Sequence, residues 1–115
     1  MQNFQSVSDH QLEGMVLMIP TKYGGRKAYV YSGYRGQFFW QINNESCADW
    51  LARFYFENDP LKPGESSNVK IQLAGTIMEL GRKTGMPAGR QFGLREGSRI
   101  IGVGVITASL YPAPQ

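Results

Sequence analysis

The 115-residue chain has very little of what most catalytic chemistry requires. It has one cysteine, Cys47, and one histidine, His10. A single thiol closes no internal disulfide. One Cys and one His cannot furnish the four ligands of a structural zinc site. His10 stands in a polar stretch, a poor place for the preorganised base of a Ser-His-Asp triad. Cys47 follows Glu45-Ser46 in an acidic segment, whereas a nucleophilic thiolate needs positive surroundings, so it reads as a free thiol. Acids are few and scattered singly, which leaves no paired carboxylates for glycosidase-type chemistry. No apolar run approaches the roughly 20 residues of a membrane-spanning helix. The opening MQNFQSVSDH has neither a basic start nor an apolar stretch, so no signal peptide is expected and the cytoplasm is the expected compartment.

One segment superficially resembles a phosphate-binding loop, Gly75-Thr-Ile-Met-Glu-Leu-Gly81-Arg82-Lys83-Thr84. It has five residues between the glycines where the motif needs four, and Arg82 intrudes before Lys83. No helix is expected to follow that would receive a phosphate. Nucleotide, metal and cofactor binding are therefore not expected, and neither is enzymatic activity.

What is present is a globular composition, 42% hydrophobic and 18% charged, in a length that makes one domain. The net charge of +3 is unevenly distributed. Lys22, Arg26, Lys27 and Arg35 form a stretch without acids. Arg82, Lys83, Arg90, Arg95 and Arg99 stand against Glu96 alone. Between these blocks lie Glu45, Asp49, Glu57, Asp59 and Glu65, with only Arg53 and Lys62 opposing them. Such blocks suit basic surface patches that face an acidic partner or a phosphate backbone.

Glycine and proline cut the chain into short apolar pieces. The segment 15–20 is a brief apolar run ended by Pro20, 27–32 and 37–42 are rich in aromatic and β-branched residues, and 52–58 follows after a polar stretch. Tyr23 to Arg26 and Gly33 to Gly36 read as loops. Asn68 to Leu73 alternates with period two, the mark of a half-buried strand, and Gly75 to Glu79 is expected to extend it. Gly81 to Gly89 is turn material, followed by a short strand over 90–95. Gly97-Ser98 makes a tight hairpin turn into the strongest strand, 99–110. On that strand Ile101, Val103, Val105 and Thr107 share one face, and Ile100, Gly102, Gly104 and Ile106 the other. The two glycines leave a bare strip that another backbone or a ring can approach. The one helical candidate, Cys47 to Phe54, is short. This spacing predicts an all-β barrel or sandwich. Residues 13–110 form the domain, with flexible tails over 1–12 and 111–115.

Gly89-Arg90-Gln91-Phe92-Gly93-Leu94-Arg95-Glu96-Gly97-Ser98-Arg99-Ile100-Ile101-Gly102-Val103-Gly104-Val105-Ile106 closely resembles the end of bacterial elongation factor Tu, G-L-R-F-A-I-R-E-G-G-R-T-V-G-A-G-V-V. Upstream, Gly24-Gly25-Arg26 and Gly33-Tyr34-Arg35-Gly36-Gln37-Phe38-Phe39 are similar to that family's G-G-R and G-Y-R-P-Q-F-Y. Pro63-Gly64-Glu65-Ser66-Ser67-Asn68-Val69 is similar to its P-G-D-N-V, with two residues extra. The resemblance runs in order from about residue 13 to 110 and concerns the third, C-terminal domain alone. It implies a six-stranded antiparallel β-barrel of the translation-factor C-terminal type. The family's GTPase domain, with its phosphate loop, has no counterpart in these residues.

In that family the third domain is a docking surface for the GTPase domain, the T-stem backbone of aminoacyl-tRNA and the exchange factor. Gln37 matches a glutamine at the GTPase-domain and tRNA face. Arg95, Glu96 and Gly97 match a turn that approaches the T-stem, and Arg35 and Arg99 match further family positions. Arg90 enters one position before a family arginine that Gln91 replaces. The resemblance thus implies one patch of Arg35, Gln37, Arg90, Arg95, Glu96, Gly97 and Arg99. Among the departures, Gly36 replaces a proline and is expected to loosen its turn, and Ser98 replaces a glycine. The function expected is a non-catalytic interaction module. It would bind a protein partner of the translation machinery or imitate the factor as a decoy. The GTPase domain, the exchange factor and a toxin that targets the factor are the possible protein partners. The alternative is weak binding to the tRNA T-stem backbone, which needs only basic and polar groups on a rigid surface.

Overall fold

The structure is a computed structural model that describes residues 2–42, 45–46, 50–75, 79, 81–82 and 85–111, with backbone only for 39–42, 45–46 and 50. Seven strands follow in chain order: β1 Leu12–Met18, β2 Tyr34–Ile42, β3 Glu45–Ser46, β4 Trp50–Phe56, β5 Ser66–Leu73, β6 Gln91–Glu96 and β7 Arg99–Ser109. The sheet order is β3-β2-β4-β5-β1-β7-β6, and a further pairing of β2 with β6 closes it. Since β3 is a two-residue extension paired only to β2, the closed body is a six-stranded antiparallel β-barrel.

Alternation explains the strands. β1 reads buried-exposed throughout, with Leu12, Val16 and Met18 inside. Phe54, Phe56, Val69, Ile71, Leu94 and Ile106 are among the other buried core residues, and Phe38 and Phe92 stack at 5.1 Å between centroids. The bare strip predicted on β7 receives a ring. A Cβ on Gly104 would lie 2.4 Å from Phe92 Cζ and 2.8 Å from Met15 O. The β6–β7 hairpin turns at Gly97, whose φ of 62° suits the two-residue turns that match strand twist.

Several local expectations are corrected. Tyr34 to Gly36 belongs to β2 rather than to a loop. Gly36 pairs with Ala52, and a Cβ there would meet Leu94 Cδ1 at 2.6 Å, so it makes room in the core instead of loosening a turn. Residues 27–32 form no strand beyond a single bridge, Val30 to Leu61. The helical candidate falls partly outside the described residues, at 47–49, and its remainder lies in β4. β5 ends at Leu73 and Gly75 turns to φ 68°, so Gly75 does not extend the strand. Glu79, Gly81 and Arg82 are helical, and Gly85 N donates to Gly81 O at 2.8 Å. Spacing, rather than the lack of a helix, is therefore what separates this segment from a phosphate loop.

On β7 the strict alternation breaks. A register shift between Leu94 and Arg95 leaves Ile101 without a partner on β6. Ile101 and Gly102 are both buried while Ile100 and Val103 are both exposed, as a bulge dictates.

The stretch 2–11, read from sequence as a tail, lies along the outer face of β4 and β5. Lys70 Nζ donates to Phe4 O at 2.7 Å and sits 4.4 Å from the Phe4 ring. Gln72 Nε2 donates to Asp9 Oδ1. Val7 is buried, and Tyr55 is buried with its hydroxyl 2.8 Å from Gln72 Oε1. At the other end Tyr111 is buried against Gly81, and 112–115 lie outside the described residues.

Candidate functional site

The closing pair β2–β6 brings the two basic blocks together. Gln37 lies directly opposite Arg95. Phe38 and Leu94, the next pair, point inward and are fully buried, so Gln37 and Arg95 point outward. Arg35 is two residues along the same outer face. Arg95 Nη2 donates to Gly97 O at 3.1 Å, which holds the guanidinium beside the hairpin turn. Arg99 begins β7 opposite Glu96 and is exposed. Arg35, Gln37, Arg95, Gly97 and Arg99 therefore gather at one end of the β2–β6–β7 wall. Gln37 Oε1 is buried and has no hydrogen-bond partner among the described residues. A buried acceptor left unpaired costs about 1–3 kcal/mol, and a donor brought by a partner would relieve it.

Arg90 is not part of this cluster. It precedes β6, five residues before Arg95, or about 16 Å away along an extended strand. Its backbone carbonyl accepts from Ile106 N at 2.9 Å. Glu96 also has other employment. Its Oε2 accepts from Arg26 Nε at 2.9 Å and from the Tyr34 hydroxyl at 2.5 Å. Arg26 lies over the Tyr34 ring at 5.3 Å and donates through Nη1 to Tyr29 O at 2.7 Å. This network ties the hairpin to the loop before β2. Burial, and then the bond to the Glu96 carboxylate, lift the Tyr34 hydroxyl well above its ordinary value of 10.0.

Residues that sequence reasoning did not single out complete the surface. Arg53 lies directly opposite Arg35 on the outer face of β4, and Leu51 lies opposite Gln37. Arg35, Arg53 and Leu51 share a shallow depression with Asp9, Gln11 and Gln72. Across β6, the outer face turns apolar. Met15 pairs with Val105 and Leu17 with Val103. With Ile100, Gln91 and Gly93 they line an open groove of about 810 Å³. Met15, Leu17, Ile100 and Val103 are each close to half exposed. A signal for this existed in the sequence. The run Met15-Val16-Leu17-Met18 is apolar on both faces of a strand, the pattern of strands covered on both sides.

The arrangement offers guanidinium donors, one unsatisfied amide oxygen and an apolar groove. Those are means of binding. Among the described residues, no group of three or more His, Cys, Asp and Glu gathers to hold a metal ion. His10 Nε2 lies 3.4 Å from Glu13 Oε2. Cys47 lies outside the described residues.

A family model described as elongation factor Tu C-terminal domain matches residues 6–109. The match covers every strand from β1 to β7, including the β2–β6 closure and the Arg95–Arg99 hairpin. With nearly the whole of its length matched and the barrel closed in six antiparallel strands, the chain belongs to the elongation factor Tu C-terminal domain family.

Proposed function

We propose that this protein is a non-catalytic interaction module that binds a protein of the translation machinery through the outer wall of β1, β7, β6 and β2. The observation that carries this reading is the exposed apolar groove of Met15, Leu17, Ile100 and Val103 beside Gln37 and Arg95. Contiguous apolar surface rimmed by polar groups marks protein contacts, and arginine is enriched where such contacts are strongest. Gln37 would supply a central hydrogen bond, while Arg35, Arg95 and Arg99 would engage carboxylates or carbonyls at the rim. By occupying a surface that the translation factor uses, the module would act as a mimic of that factor. Family membership supports a translation partner, and the GTPase domain of elongation factor Tu and its exchange factor are the first to test.

The test is a calorimetric titration against each of those proteins. Leu17→Asp should abolish the heat of binding, and a Gln37→Ala, Arg95→Ala double change should weaken affinity at least tenfold, with melting temperatures nearly unaltered. Binding that survives all three substitutions would refute the assignment.

A second reading has its own support. Arg35 and Arg53 face each other directly across β2 and β4, and like charges so placed repel. Phosphates of a tRNA T-stem would relieve that repulsion. Under this reading, loss of Arg35 lowers the salt slope of tRNA binding by about one unit.

A further inference from the structure

The loop between β1 and β2, residues 19–33, carries a set of side chains that neither reading uses. Tyr23, Tyr29 and Tyr31 keep 71%, 44% and 61% of their surface open. Single exposed rings are ordinary, whereas exposed aromatic surface concentrated on one short loop is the kind that marks a binding site. The loop itself is well anchored. Val30 and Leu61 exchange both backbone hydrogen bonds, at 2.9 and 2.8 Å, and both side chains are buried. Thr21 Oγ1 donates to Arg26 O at 2.7 Å, and Tyr23 N donates to Pro20 O at 2.9 Å. The exposed rings are thus presented from a fixed backbone.

Two features give these rings a common purpose. First, Val30 points inward within an extended bridge, so Tyr29 and Tyr31 both point outward. Their spacing along the chain is about 6.6 Å, roughly twice the 3.4 Å between stacked bases. Second, two of the three rings have a cation beside them. Lys22 Nζ lies 5.0 Å from the Tyr23 ring and Lys62 Nζ 5.6 Å from the Tyr29 ring. Lys27 is exposed in the same loop. The acids nearby are few. Glu96 is engaged by Arg26 and Tyr34, Glu65 accepts from Lys62 N at 3.1 Å, and Asp59 is exposed before Pro60.

We propose that Tyr23, Tyr29 and Tyr31, with Lys22, Lys27 and Lys62, form a stacking platform for unpaired bases of single-stranded RNA. The rings take the base faces, which all four bases possess, and the ammonium groups take the phosphates between them. Recognition is tolerant of sequence and requires unstacked bases, so a duplex is a poor ligand here. Arg26 ties this loop to Glu96 at the hairpin, so the platform adjoins the end of the barrel wall, but it uses none of the side chains assigned to the protein partner and stands or falls on its own tyrosines.

Fluorescence anisotropy with a labelled single-stranded RNA of roughly 12 nucleotides, and with the same sequence as a duplex, tests it. The single strand should bind more tightly than the duplex. Each of Tyr29→Ala and Tyr31→Ala should weaken binding by about five- to 150-fold. The Tyr→Phe variants should bind like the wild type, because the ring rather than the hydroxyl is used. With three phosphates contacted, the logarithm of affinity should fall with the logarithm of salt at a slope of about −2. The substitutions are at exposed positions, and unchanged melting temperatures will confirm intact barrels. The proposal is overturned if no single-stranded RNA binds at low salt, if the duplex binds equally well, or if the alanine variants keep full affinity. A loss on Arg95→Ala as large as on Tyr29→Ala would also overturn it, since binding would then belong to the barrel wall. So would tyrosine substitutions that weaken a protein complex while RNA remains unbound.

Discussion

The outer face of β4 and β5 carries Tyr55, Lys70 and Gln72, and the chain's own residues 2–11 lie over it. The outer face of β1 and β7 carries Met15, Leu17, Val103 and Val105, and nothing among the described residues covers it. Both walls belong to the same closed sheet and have the same inner face of packed aliphatic and aromatic side chains. The covered wall is polar and is satisfied internally by hydrogen bonds to Phe4 and Asp9. The bare wall is apolar and has no internal segment to meet it. A barrel needs only its interior to be stable, so what lies outside each wall is free to serve other ends.

The largest effect should come from the layer beneath the bare wall. Gly104→Val forces a side chain against Phe92 Cζ and Met15 O. It should destabilise the barrel by about 1 to 3 kcal/mol, read as a drop in denaturant midpoint. A midpoint that does not move would mean that β7 is not packed against Phe92.

The covered wall should respond less. Lys70→Met removes the donor to Phe4 O and the cation over its ring, and should cost about 1 kcal/mol. Hydrogen exchange should show faster opening of residues 2–9 while β4 and β5 stay protected. Acid should do the same. The hydrogen bond from the Gln72 side chain, more than any other influence, holds the Asp9 carboxyl below its ordinary 3.8. Its contribution is therefore full above about pH 4 and is lost as pH falls through the depressed value. Opening of 2–11 that is indifferent to pH between 5 and 2, in the same hydrogen-exchange series, would sink this account.

Alkali tests the network at the hairpin end of the barrel. The Tyr34 hydroxyl is raised above 10.0 by burial and by Glu96, so the folded state keeps its proton after the unfolded chain has lost it. Stability is complete below pH 10 and should decline as pH rises further. Tyr34→Phe should flatten that decline and cost on the order of 1 kcal/mol at neutral pH, read by thermal unfolding at a series of pH values.

The smallest stability effect should lie on the bare wall itself. Leu17→Ser should change folding free energy by no more than about 0.5 kcal/mol, because the side chain already stands half in solvent. A loss of several kcal/mol would show that the groove is part of the core rather than a surface held for a partner.

Period-two alternation, turn residues and the order of motifs are local properties. From them the all-β class, the β5 pattern, the Gly97 hairpin and the open strip at Gly104 were all legible in the sequence. So was the family, because Arg95-Glu96-Gly97 and Gly33-Tyr34-Arg35 keep their relative places along the chain. What only the tertiary structure decided depends on register between distant strands. A one-residue bulge at Ile101 exchanged the faces of β7, and no local rule announces it. The closure of β2 on β6 set Gln37 against Arg95 while leaving Arg90 far along the strand. Burial of Tyr34 drew Glu96 toward Arg26 and away from the patch that its sequence neighbours form. The N-terminal residues are polar, so nothing in their composition promised a place on the barrel. They acquire one because Lys70 and Gln72, on a strand that folds back beside them, supply the hydrogen bonds. Side-chain alternation is imposed by each strand's own pleat, whereas these partnerships come from hydrogen-bond registers that exist only once the sheet has closed.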